Sequence, residues 1–188
     1  MNTRAILLAA GSGSRFGGGK LLAQLADGTP VGLASWRNLT TAMDQCIAVV
    51  RSGDIALRDM LRAEGAKVIE CADAQDGMSR SLIAGVKATA DSSGWVIALG
   101  DMPYIKPATI RKVADAIELG ALIALPTYQG KRGHPVGLSS RLLPELSGIQ
   151  GDEGAREVVR RHAEDCRLIA CDDDPGLLQD IDTRDDLA

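Results

Sequence analysis

Leu8-Ala9-Ala10-Gly11-Ser12-Gly13-Ser14-Arg15-Phe16-Gly17-Gly18-Gly19-Lys20 runs from an apolar, strand-like segment straight into a glycine loop closed by two cations. Without Cβ atoms a backbone approaches a polyphosphate closely and points its N–H groups at the oxygens, while Arg15 and Lys20 supply countercharge. The loop differs from the two commonest cradles. A dinucleotide-binding turn needs glycine where Phe16 stands, and a Walker A loop needs glycine at Ser14 and Ser or Thr at Leu21. A solvated glycine loop is the competing reading, but the preceding strand and both cations favour a phosphate site. Leu8, Ala9, Ala10, Gly11, Gly13 and Lys20 are therefore candidate nucleotide contacts, and Arg15 and Lys20 candidate catalytic cations.

Outward from this segment, short apolar runs alternate with helical stretches, the pattern of a parallel sheet covered by crossover helices. Strands are expected over 5–10, 46–50, 67–70, 95–99, 121–125 and 167–171. Helices are expected over about 30–43, 54–64, 79–89, 107–119, 142–146 and 154–162. Gly65 suits a left-handed cap and Pro107 a first helical turn. The glycine-rich, basic stretch 127–138 reads as a loop or ribbon outside the core. With no repeat or linker, the 188 residues fit one α/β domain spanning 1–188.

Composition narrows the function. Hydrophobic residues at 45% and charged residues at 24% exclude disordered and fibrous chains, and 3% aromatics imply an aliphatic core. A net charge of −4 argues against nucleic acid or a membrane surface as partner, so a phosphate ligand must be held locally. Cys46, Cys71, Cys166 and Cys171 lack metal-site spacing and read as reduced bystanders. No signal peptide or membrane span is read from the sequence, and a cytoplasmic location is expected.

Five further stretches carry chemistry. Gly100-Asp101-Met102-Pro103 ends the most apolar expected strand, so Asp101 would face a triphosphate held by the first loop and offer Mg²⁺ a hard oxygen ligand; alternatively it is a turn. Gln75, Gly77, Ser79 and Ser81, before and at a helix start, either read a nucleobase or cap the helix. Asp182 in Asp180-Ile181-Asp182-Thr183 is either a second metal ligand beside Asp101 or a strand end or cap. Arg132, His134 and Arg156, in the glycine-containing stretches 130–136 and 151–156, suit an anionic acceptor, and for each a solvated surface role is the alternative.

Taken together, Leu8–Leu21, Gly77–Leu82, Gly100–Pro103, Gly133–Val136, Gly151–Arg156 and Asp180–Thr183 resemble, in type, order and spacing, the molybdenum cofactor nucleotidyltransferases, and within them the cytidylyltransferases. The resemblance implies a Rossmann-like fold and a Mg²⁺-dependent transfer of CMP from CTP to molybdenum-loaded molybdopterin, giving molybdopterin cytosine dinucleotide and pyrophosphate. It also implies a transient contact with a molybdenum hydroxylase that receives the cofactor. Ala10 stands where guanylyl relatives usually carry glycine, and its methyl would narrow the base pocket towards a pyrimidine. Val31-Gly32-Leu33-Ala34 departs from the family's usual pattern. The rival readings are guanylyl transfer to the same pterin, CMP transfer to another acceptor such as methylerythritol phosphate, and a non-catalytic pterin carrier.

Overall fold

The computed structural model describes residues 2–187 apart from 12, 14, 15, 150, 152 and 153. Thr3–Ala9 (β1) lies inside the sheet and is buried from Ala5 onward, because layers of helices cover both of its faces. It pairs in parallel with Cys46–Arg51 (β2) on one edge and with Gly94–Leu99 (β4) on the other, and Lys67–Cys71 (β3) extends the parallel set beyond β2. On the other side β4 pairs antiparallel with Val136–Ser139 (β7), which pairs antiparallel with Ile123–Tyr128 (β5). Cys166–Ala170 (β8) runs parallel to β5 on its far edge, and Lys131–Arg132 (β6) folds back on the end of β5.

Side chains alternate across this sheet and sort the first motif. Ala5, Leu7 and Ala9 pack with Val31–Ala42 (α1), Ile55–Ala63 (α2) and Pro107–Glu118 (α4). Ile6, Leu8 and Ala10 pack with Met78–Ala88 (α3), Leu143–Ser147 (α5) and Arg156–Arg161 (α6). Leu8 and Ala10 therefore share one face of the sheet, and Ala9 points to the other. The core is aliphatic except that Phe16, Trp36 and Trp95 are also buried, and the Trp95 indole N–H donates to Thr89 Oγ1 at 2.9 Å. No helix of the described residues is long and apolar enough to cross a membrane.

The expected strands and helices form with shifted ends: β5 covers Ile123–Tyr128, not 121–125. The reading of 127–138 as a loop outside the core is corrected. Its last part is β7, a buried strand wedged between β4 and β5. The composition hid it because Gly137 must lack a side chain: a Cβ there would lie 2.8 Å from both Val113 and Ile117 of α4. Gly32, in the atypical stretch, plays a similar part, since a Cβ would lie 3.1 Å from Leu21 Cβ. Its absence lets α1 close on the 3-10 turn Lys20–Leu22 that carries the loop's lysine.

Candidate active site

The carboxyl ends of β1, β2 and β4 open on a cleft of about 600 Å³. The glycine loop forms one wall, where Gly13 O accepts from Phe16 N–H at 3.0 Å and Gly18 N–H at 3.2 Å. Leu8, Ala10, Gly11, Gly13 and Lys20 line it from the loop side, and Gln75, Gly77 and Ser81 from the start of α3. Asp101 follows β4, which lies beside β1 in register, and Gly100 N–H donates to Leu8 O at 2.9 Å. That bond ties the acid's turn to the strand feeding the loop.

Asp182 arrives from the far end of the chain. After β8 the backbone crosses back over the sheet, held by a run of acids: Asp172 accepts from Gln129 N–H at 2.7 Å, and buried Asp174 accepts from Lys106 N–H at 3.0 Å and Thr109 Oγ1–H at 2.5 Å. Ile181 then buries its side chain and donates its N–H to Asp101 O at 2.8 Å. The result places both acids against one cation: Lys20 Nζ donates to Asp101 Oδ2 at 2.7 Å and stands 3.5 Å from Asp182 Oδ1.

Two carboxylates therefore face one ammonium at this corner. Hard oxygen donors in that arrangement suit a divalent cation. Among the described residues no group of three or more His, Cys, Asp or Glu side chains comes together to hold a metal ion.

The remaining candidates are distributed less tightly. Ala9 faces α1, away from the cleft. Ser79 is fully buried, its hydroxyl unpartnered and its N–H bonded to Gly151 O at 3.2 Å, so its side chain does not line the cleft. His134 lies within electrostatic reach of Asp101, Asp180 and Arg156, with Nδ1 buried and unpartnered. Burial pushes its pKa below the ordinary imidazole value; Arg156 acts in the same direction, and Asp101 and Asp180 oppose. Arg132 is exposed on β6, near enough to Cys166 to oppose the upward push that burial gives that thiol. Arg156 is exposed at the start of α6. Arg15, Asp152 and Glu153 lie outside the described residues.

Arg51 lies in none of the sequence motifs yet belongs to the site. It ends β2 beside the exit of β1, lines the cleft, and places Nη2 3.4 Å from Ala10 O while Nε is buried without a partner. A cation closing a strand next to the phosphate loop was a readable signal, because ligands of open α/β sheets collect at strand carboxyl ends. Phe16 and Met78 also line the cleft.

The sheet and its cleft define an α/β nucleotidyltransferase architecture, and comparison with known proteins agrees. The family model described as the MobA-like NTP transferase domain matches residues 5–166, and the chain belongs to that family. It is 28% identical to the purine catabolism protein PucB of Bacillus subtilis, over 95% of this chain and 90% of that protein. It is also 28% identical to the nicotine blue oxidoreductase of Paenarthrobacter nicotinovorans, over 95% of this chain and 91% of that one. Among solved structures, Rv0371c from Mycobacterium tuberculosis superposes with a TM-score of 0.85 at 29% identity, covering 99% of this chain and 96% of that one. The same protein has been solved in complex with manganese, with a TM-score of 0.80 at 28% identity over 99% of this chain and 96% of that one.

Proposed function

We propose that this chain is a one-domain, Mg²⁺-dependent cytidylyltransferase that moves CMP from CTP to molybdenum-loaded molybdopterin, giving molybdopterin cytosine dinucleotide and pyrophosphate. One observation carries the reading: Lys20, Asp101 and Asp182 meet at a cleft whose walls include Ala10, Gln75, Gly77 and Ser81. A phosphate monoester loses its second proton near pH ~6, so the acceptor's terminal phosphate is largely dianionic at neutral pH and needs no general base. Its oxygen forms a bond to the α-phosphorus of CTP as the bond to pyrophosphate breaks on the opposite side.

The chain's residues then position and neutralise. Lys20, Arg15 and the loop amides hold the phosphates; Asp101 and Asp182 would bind the metal. Mg²⁺, when bound there, supplies countercharge to phosphate oxygens. The Ala10 methyl narrows the base site, an effect of about 1–3 kcal/mol. His134, within electrostatic reach of Asp101 and Arg156, offers a hydrogen bond to the pterin phosphate, and Arg156 and Arg132 offer positive charge. A molybdenum hydroxylase is the partner this product implies.

The test is to incubate the protein with Mg²⁺, loaded pterin and either CTP or GTP, then identify the dinucleotide and measure pyrophosphate. CTP should yield the cytosine dinucleotide, and Asp101→Ala should lower kcat about 100-fold or more. A guanine product would reassign the base, and CMP appearing on methylerythritol phosphate would reassign the acceptor. Stoichiometric pterin binding with no pyrophosphate would make the chain a carrier. Because one relative is named an oxidoreductase, redox turnover with no pyrophosphate from any nucleotide would remove nucleotidyl transfer altogether.

A further inference from the structure

The last described residues form a short exposed turn, Arg184–Leu187, that contacts the glycine loop and the segment carrying Asp182. Thr183-Arg184-Asp185-Asp186 has the spacing of a capping signature, in which an acid three residues on reaches back to the backbone it follows. Asp186 does this with one oxygen: Oδ2 accepts from Thr183 N–H at 2.6 Å, from Thr183 Oγ1–H at 2.9 Å and from Asp182 N–H at 3.0 Å. The backbone that presents the Asp182 carboxylate to Lys20 is thereby tied to Asp186. On the same turn, the Arg184 guanidinium lies 5.2 Å from the centroid of the Phe16 ring, a cation–π distance. Phe16 belongs to the glycine loop and lines the cleft, as Asp182 does.

We infer that this turn is a positioning clamp: Asp186 fixes the backbone carrying Asp182, Arg184 fixes Phe16, and one exposed turn thus sets the metal-side acid and the glycine loop relative to each other. Neither residue touches substrate. The link to catalysis rests on the nucleotidyl-transfer reading, whereas the link to the loop does not. A hydrogen-bonded acid is the stronger half of the clamp, since bonds to a charged acceptor contribute more than neutral ones.

Three variants test it, Asp186→Ala, Arg184→Ala and, as a control on the same exposed turn, Asp185→Ala. In the protein without ligands, hydrogen exchange at residues 16–22 should speed up several-fold in Arg184→Ala and Asp186→Ala and stay at the wild-type rate in Asp185→Ala. In CTP-dependent pyrophosphate release, Asp186→Ala should raise the half-saturating Mg²⁺ concentration roughly 10-fold while the KM for CTP at saturating Mg²⁺ holds. Asp186→Glu should recover part of that loss. If Asp186→Ala does not fold, Asp186→Asn, which removes the charge and keeps the shape, is read in the same two assays. Unchanged exchange at 16–22 in both clamp variants, or an Asp185→Ala effect as large as theirs, overturns the clamp. A wild-type protein that releases no pyrophosphate sinks the nucleotidyl reading alone, because the exchange measurement needs no substrate.

Discussion

The parallel half of the sheet, β3-β2-β1-β4, and the mixed half, β7, β5, β6 and β8, hold their charged groups in different ways. In the parallel half the charges meet: Lys20, on the 3-10 turn after the glycine loop, and Asp101, just past the end of β4, are 2.7 Å apart, with the lysine side chain 12% exposed. In the mixed half Arg132 and Arg156 are exposed on two short elements, and His134 precedes the wedge strand. Half-buried, mutually fixed charges suit stabilisation of a charge that develops during reaction, whereas exposed, adjustable cations suit holding an anion before and after it. The parallel half should therefore govern turnover and the mixed half acceptor affinity.

The largest effect should come from Lys20→Ala, with kcat down roughly 100-fold or more. Arg156→Ala should raise the KM for the pterin acceptor about 10-fold, the scale of one charge-assisted contact, and leave kcat near wild type. Steady-state kinetics with varied pterin at saturating CTP separate the two. If Arg156→Ala lost kcat as Lys20→Ala does, the division of labour between the halves would be wrong.

A smaller effect, on stability, probes why the halves differ. Gly137→Val pushes a branched side chain into the gap where Val113 and Ile117 already stand 2.8 Å from the Cβ position, and should destabilise by about 1–3 kcal/mol in urea unfolding. Gly148→Ala, whose added Cβ would sit 3.7 Å from its nearest neighbour, serves as the tolerant comparison. Equal unfolding midpoints for the two variants would mean that β7 is not wedged as described.

The same contrast explains what could be read from the sequence. The parallel half follows local rules, with a buried apolar strand, a turn and a crossover helix, so its strands, the glycine loop that leads to Lys20 and the placing of Asp101 past the end of β4 are legible. β7 obeys no local signal: its pairing partners are β4, some forty residues earlier, and β5, and its glycine answers to a helix crossing rather than to a turn. The approach of Asp182 was half legible. The Asp180-Ile181-Asp182-Thr183 stretch marks Asp182 as a candidate acid, but only the long return through Asp172 and Asp174 brings it to the Lys20–Asp101 pair. Arg51 belongs to no motif, and the two readings of Ser79 stay level in the sequence because a serine at a helix start looks the same whether its hydroxyl faces a ligand or the core.

The two histidines sharpen the comparison last and by the smallest amount. His162, at the end of α6, places Nε2 2.8 Å from Glu145 Oε1, and that hydrogen bond, followed by the Glu145 charge and Asp165, raises its pKa above 6.5. Its folded form binds a proton more tightly than the unfolded chain does, so the pair's contribution is fully present below about pH 6.5 and is lost as pH rises through the raised folded value. His134 is the reverse. Burial holds it below 6.5, the unfolded chain takes the proton first, and stability falls as pH drops below that value. Thermal unfolding of His162→Gln should therefore show a deficit against wild type that is larger at pH 6 than at pH 9. For His134→Gln the deficit should shrink as pH falls from 7 to 5, because the wild type alone must keep a neutral ring buried. Deficits that change in the same direction with pH would mean that one of the two rings does not sit as described, and the half-buried His162 is the easier to check, by following its ring protons in a direct NMR titration.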